Sequence, residues 1–363
     1  MSLGSGTRRR IAALSLILPY IYLMCGAPFK HAGAIPISPR LPGAALSNSP
    51  VLDGESPTTG LKWSGSYRPV LVQISNAVAA RPHWNLSEAD VVYEALYWTG
   101  HTSYTALYND NHPDMVGAVR SARLHHAQLR EEWDCPFVFW GGQGGEPIGI
   151  YDFFKTRKVE SRFLFDGNAD NRGDVLTRSS ESFERSNPHN MVADIKLLVD
   201  EYYPGNYIQE ERPFLFTDMP SMGDDAAISI DIMYGTDFHP IYTYNEDLRV
   251  YERSYDDQPQ IDGYTEERIV ASNVIVQRMN IIYYNGIASR PIYEETGEGI
   301  ADIFIDGRMI QGSWVRNSLE DRTIFLDSTG TEVELLQGKT FIQIIPDSMS
   351  YSYARDDGSI VMR

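Results

Sequence analysis

The densest concentration of chemistry-bearing side chains in this chain is residues 116–133, VGAVRSARLHHAQLREEW. An apolar run ending at Val119 leads into Arg120, Ser121 and Arg123. A helical pattern then starts at Leu124, with His125 and His126 in its first turn. If Ser121 caps that helix, the remaining free N–H groups lie at the positive end of the helix dipole, beside two guanidiniums. Such an arrangement suits an anion: a phosphate, a carboxylate or an acidic glycan. The competing reading pairs Arg120 and Arg123 with internal acids such as Glu94 and Asp90, bracing the sheet. The rule that buried arginines are paired favours the brace. Ser121 beside His125 imitates a nucleophile and its base, but no elbow glycines flank the serine.

Other candidates are more dispersed. Glu94 lies near the end of an apolar run and could serve as an acid or base with a second carboxylate such as Asp114. His189 sits between Pro188 and Asn190 at the entry to a helical pattern, as a ligand contact or a plain solvated histidine. The glycine-rich stretch 141–145 matches no phosphate-loop spacing and reads as a turn. Residues 166–174 place acids and amides at positions one, three, five and nine of a calcium loop. Thr177 stands where the bidentate glutamate belongs, so a polar surface loop is expected. Cys135, just before an apolar run, reads as a buried structural thiol. No histidine or cysteine cluster has zinc spacing, so neither metal nor cofactor is expected. The candidate ligand-binding set is therefore Arg120, Ser121, Arg123, Glu94 and His189.

The elements that must position these groups follow from hydrophobic patterning. Short apolar runs at 70–74, 91–96, 104–108, 115–119 and 137–140 predict strands. Helices are expected from Leu124 and over 191–203, the latter capped by Asn190. The mixture predicts an α/β N-terminal domain over 66–210. Beyond Ala226 the texture turns to strands, including two runs that meet across Asp306-Gly307, a strong hairpin signal. A smaller β-rich C-terminal domain is expected over 226–349, followed by a peripheral polar tail over 350–363.

Composition bounds the function. The 363 residues are 42% hydrophobic and 12% aromatic, enough for a sizeable core. Net charge is −18, and the first 34 residues carry Arg8, Arg9, Arg10 and Lys30 without an acid, so the remainder is more acidic still. That charge repels phosphate backbones, and nucleic acid is not an expected partner. The arginines at 8–10, the apolar run 11–23 and the small residues after it form an export signal over 1–34. Cleavage after Ala34 would release a soluble protein; lipidation of Cys25 would anchor it, although bulky Met24 precedes that cysteine; an uncleaved N-terminal anchor is the third outcome. Residues 35–65, rich in Pro, Ser, Gly and Thr, read as a flexible tether.

Several segments resemble a known family. Tyr67-Arg68-Pro69-Val70, the run LSEADVVYEA from Leu86, VGAVRSAR from Val116 and Pro188-His189-Asn190 are similar to the signatures of the YerB-like lipoproteins of bacteria, a two-domain family of unknown function. Gly312-Ser313-Trp314 and GKTFIQIIP from Gly338 resemble its C-terminal domain. Ala118 stands where the family usually has proline, and His101-Thr102-Ser103 replaces an Ile-Thr-Arg-like triplet. The resemblance covers about 66–349 and implies export, attachment to the membrane surface and two domains, with no established reaction. The expectation is an exported cell-envelope protein, a non-catalytic binding or accessory module for envelope polymers or proteins. The alternative is a hydrolase acting on a glycan or phosphodiester, using Glu94 with Arg120 and Arg123 around the substrate.

Overall fold

A computed structural model describes residues 54–363, apart from 146, 169–173, 179–184, 204–212, 222, 224 and 288. The export segment, Cys25 and the tether up to residue 53 lie outside the described residues. Among the described residues, no helix is long and apolar enough to cross a membrane.

The apolar runs become strands β1 (Val70–Ser75), β2 (Val91–Trp98) and β3 (His101–Tyr108), a short β4 (Val116–Gly117), helix α1 (Leu124–Trp133) and β5 (Phe137–Phe139). β1 and β2 both pair antiparallel with β3, and β1 pairs in parallel with β5. From the C-terminal half come Asn273–Met279, Gly297–Ile305, Arg308–Arg316 and Thr340–Pro346. The last of these pairs in parallel with both Asn273–Met279 and β2, so strands of both halves form one 11-stranded sheet. The chain is thus mixed in its N-terminal domain and β-rich in its C-terminal domain, with a shared sheet.

Alternation along each strand decides what each face buries. Val70, Val72, Ile74, Val92 and Leu96 face a second, seven-stranded sheet that contributes Ile230, Tyr242 and Tyr251 to a common core. Leu71, Tyr93, Ala95 and Leu107 face the other way, against Leu129 and Trp133 of α1. Glu94 shares the parity of Val92 and Leu96 and meets Arg253 of the second sheet at 2.7 Å, both side chains 0% exposed. Asn76 and Thr102 donate to the other Glu94 oxygen, so the carboxylate is fully satisfied.

Three expectations need correction. Residues 350–363 are not a peripheral tail: Ser352–Ala354 and Ile360–Met362 extend the second sheet, Tyr351 and Tyr353 are buried, and Arg363 pairs with buried Asp302 at 2.7 Å. The apolar face that docks this segment is carried by two tyrosines, whose phenols disguise it as polar. The tether ends earlier than expected, because Ser56, Thr58 and Thr59 are buried and donate their hydroxyls to Asp110 and Asp90. Burial, reinforced by Asp110, raises the Asp90 carboxyl to about 8. The helix over 191–203 is instead a strand, Met191–Ala193, paired with β4, followed by one helical turn and a wider π turn, Leu198–Tyr202. Its cap is Asp194, which accepts from the Leu197 amide, not Asn190.

Removing either partner of the Glu94–Arg253 pair strands a charge in a dry core. Glu94→Ala is expected to lower unfolding free energy by about 3–5 kcal/mol, measured as a loss of urea midpoint at unchanged slope. A change within about 0.5 kcal/mol would contradict the pair's role in joining the sheets.

Candidate functional site

β1 and β5 diverge at their carboxyl ends, and residues 118–122 fill the gap between them. Ser75 N–H donates to the Ala118 carbonyl and Arg120 N–H to the Gln73 carbonyl, while Trp140 and Ala122 bond across to Arg120 and Gly141. Crevices at the carboxyl ends of neighbouring parallel strands are favoured places for ligands in open sheets. Here the crevice is a small open cleft of about 90 Å³, lined by Ser75, Ala77, Tyr97, Ser103, Arg120, Ser121, Arg123 and His189.

Four of the five candidate residues therefore converge, and Glu94 does not. β2 sends Tyr97 to the cleft face and Glu94 to the opposite one, where Arg253 holds it. Asp114 offers no second carboxylate, since it lies against Tyr264 at 3.4 Å. The brace reading also fails, because Glu94 belongs to Arg253 and Asp90 to hydroxyls and amides. Among the described residues, Arg120 and Arg123 have no carboxylate partner. Arg120 makes one long contact, 3.4 Å, to the Pro188 carbonyl, and Arg123 one of 3.4 Å to the Ala122 carbonyl. The Arg123 Nε and the His189 Nδ1 are buried without a partner.

Burial lowers Arg120 from its ordinary value, with Tyr97 opposing and Arg178 adding to the lowering; burial lowers Arg123 in the same way, with Tyr97 opposing and Arg120 adding. His189 is lowered by burial and then by Arg120 and Arg185, so it is neutral at pH 7. Both arginines keep their charge there, since guanidinium does not deprotonate in proteins. Among the described residues these two half-buried cations have no counter-charge, in a chain of net charge −18, and an anion placed there would restore lost solvation.

Ser121 does not cap the helix. Its hydroxyl donates to the Trp140 carbonyl at 3.0 Å, and Arg123 occupies the cap position. His126 accepts the Arg123 N–H on Nδ1 at 2.9 Å, closing the first turn. His125 and His126 are not cleft ligands; both are buried, their rings 3.8 Å apart, with His125 also 4.2 Å from Tyr293. Sequence reasoning missed Tyr97, Ser75 and Ser103. The signal for Tyr97 was its shared parity with Tyr93 and Ala95, and for the serines their opposition in the β1–β3 register.

The remaining candidates resolve simply. Asp166 accepts from the Gly141 and Asn168 amides and from Tyr151, so Gly141, at the start of the glycine-rich stretch, is tied to an internal carboxylate. Residues 169–173 of the calcium-like segment lie outside the described residues, and no group of three metal ligands occurs among the described ones. Cys135 is fully buried and its thiol is pushed up to about 12 by desolvation, which makes it inert at neutral pH.

Comparison with known proteins places this arrangement. Residues 58–207 match the N-terminal domain of a family described as a protein of unknown function (DUF3048), and 230–342 match the C-terminal domain of the same family. The chain belongs to this family. It is 27% identical over 313 residues to "Putative lipoprotein YerB" of Bacillus subtilis (strain 168), covering 84% of this chain and 90% of that one. The crystal structure of the YerB protein from Bacillus subtilis aligns with a TM-score of 0.67 at 26% identity, over 81% of this chain and 97% of that chain. Two family domains are thus shown, and the cleft lies within the residues matched by the first.

Burial holds His125 and His126 well below the ordinary histidine range, with Arg123 adding to both. Each is neutral when folded and protonates when unfolded below about pH 6.5, so the unfolded state binds more protons and stability falls as pH drops. Each histidine contributes a slope of up to about 1.4 kcal/mol per pH unit below that point, while its folded ring stays neutral. His125→Phe is expected to reduce the measured slope between about pH 5.5 and 6.5, by up to about 1.4 kcal/mol per unit. An unchanged slope would show that His125 is not held neutral.

Proposed function

We propose that this protein is a non-catalytic binding or accessory module of the bacterial cell envelope. In this reading Cys25 carries the lipid that holds it outside the cytoplasmic membrane. The cleft between Arg120, Arg123 and His189 takes an anionic group of an envelope polymer or envelope protein. The observation that carries the reading is the pair of half-buried guanidiniums facing one cleft without a carboxylate among the described residues. The export pattern and a relative named as a lipoprotein support the location.

Among the described residues, the hydrolase alternative keeps His189 at the cleft but lacks the carboxylate assigned to it. An acid–base mechanism needs a carboxylate or a poised histidine at the bond to be broken. Glu94 is on the far face of the sheet, paired with Arg253, and no acid among the described residues lines the cleft. The Ser121 proton is committed to the Trp140 carbonyl.

Purified cell-wall polymer tests the binding role. Arg120→Ala removes a partly exposed side chain whose one bond is long, so the fold is expected to stay within about 0.5 kcal/mol of the parent. Affinity for the polymer should drop about tenfold or more, and binding by the parent should weaken as salt rises. A folded Arg120→Ala protein that binds as tightly as the parent sinks the role. Mass measurement of the mature N-terminus tests the anchor: a chain starting at lipid-modified Cys25 is expected, and a start at Ile35 would remove the anchor while leaving the binding reading intact.

A further inference from the structure

We infer that the cleft takes a tetrahedral phosphoryl group, and that Ser75 and Ser103, not Ser121, supply its uncharged hydrogen-bond donors. This rests on the anion-binding reading above and deepens it by naming the ligand chemistry and two further binding residues.

The assignment comes from accounting for every hydroxyl proton. A serine has one O–H to give and two lone pairs to accept with. Gln73 turns its Oε1 to the Thr105 hydroxyl at 2.8 Å, which leaves its Nε2 donating to Ser103 Oγ at 2.9 Å. His126 Nδ1 accepts the Arg123 N–H, so the proton of this neutral ring sits on Nε2, 3.3 Å from the same Ser103 Oγ. Gln73 Nε2 and His126 Nε2 lie 3.4 Å apart and both donate to Ser103 Oγ, occupying its two lone pairs. Its hydroxyl proton has no acceptor among the described residues, although the side chain lines the cleft. Ser75 Oγ accepts the Ala77 N–H at 3.3 Å, and its proton is likewise unclaimed. Ser121 is the reverse case: its proton is spent on Trp140, and it shows an anion only lone pairs.

Geometry then selects the ligand. Ser75 and Ser103 are direct partners in the β1–β3 ladder, so their Cβ atoms stand about 5 Å apart on one face. Ser75, Ser103, Arg120, Arg123 and His189 line a single small space. Donors converging from several directions fit the oxygens of a tetrahedral oxyanion. A planar carboxylate is satisfied by one bidentate guanidinium and would leave the hydroxyls unused.

Calorimetry on the full chain tests this with inorganic phosphate and acetate as probes. Phosphate is expected to bind at least about tenfold more tightly than acetate. Ser75→Ala and Ser103→Ala should each weaken phosphate about tenfold, the scale of one hydrogen bond to a charged group, while Ser121→Ala should leave it unchanged. Ser75→Ala is the cleaner variant, because Ser103→Ala also strips Gln73 and His126 of an acceptor. The unmutated protein with 15N-labelled histidine gives an independent reading: phosphate should shift the His126 Nε2 resonance and acetate should not. Displacement of bound phosphate by poly(glycerol phosphate) would identify a polymer source. Displacement by phosphatidylglycerol vesicles would identify a lipid headgroup, and displacement by neither would overturn the assignment. Equal affinity for the two probes, or full phosphate affinity in both serine variants, also overturns it. In that event continued loss in Arg120→Ala leaves the anion site standing. A parent protein that binds neither probe nor wall polymer brings down both readings.

Discussion

The parallel pairing of β2 with Thr340–Pro346 is the constraint on which the rest of the structure depends. Val91 to Glu94 register with Thr340 to Gln343, which seals the N-terminal and C-terminal strands into one sheet. No hairpin can make such a pairing; the chain must run through the whole second family domain before it returns. A parallel seam in mid-sheet has to be covered on both faces. The strand TFIQIIP accordingly reads as an almost unbroken apolar run, and its one amide, Gln343, donates to Tyr242 at 2.8 Å. The two family domains are therefore separate along the sequence and continuous in the hydrogen-bond ladder.

That seam gives the arginines of this chain two fates. On the face covered by the second sheet, Arg253 is completely enclosed and meets Glu94, the Tyr242 hydroxyl and the rings of Tyr104 and Tyr255. A cation in that environment is tolerable only because a counter-charge and dipoles replace its water. On the other face, helix α1 covers the sheet only as far as the carboxyl end of β1. Arg120 and Arg123 stand at that margin, half in water, with carbonyls as their only polar partners among the described residues. The same residue type thus serves as an internal tie where solvent is excluded and as a free charge where the cover stops.

Much of the framework was legible because the strands near 70, 91, 104 and 137 are plain apolar runs. Asp306-Gly307 is equally explicit, with φ of 53° and 73° at the two turn residues that join Gly297–Ile305 to Arg308–Arg316. What was misread shares a cause. Met191, Val192 and Ile195 fit a helical period as well as a strand followed by a turn, and only the partner β4 decides between them. Ser56, Thr58 and Thr59 look like linker until Asp90 and Asp110 are brought to meet them. Glu94 could have been removed from the site by parity alone, since it alternates with Tyr93 and Ala95, the face that leads to Tyr97. The approach of His189 to Arg120 depends on contacts distant in sequence, which local spacing does not encode.

The chemistry of the cleft follows from what its neighbours withhold. Catalytic groups are usually made by setting one ionisable residue against another so that their proton affinities diverge. Here Arg120 and Arg185, the charged neighbours of His189 among the described residues, push it toward neutrality, and no described carboxylate stands beside it. His126, which would be the other base within reach, is consumed in closing the first turn of α1 and in bonding the sheet beneath it. The helix is held at its far end too, where Arg316 of the C-terminal half reaches the Gln128 carbonyl and lies 3.6 Å from Glu132. With His126 in a structural role, positive charged groups among the described residues and α1 tied at both ends, the cleft suits the proposed anion-binding role. In that reading, preorganisation would raise affinity by reducing the ordering cost of binding.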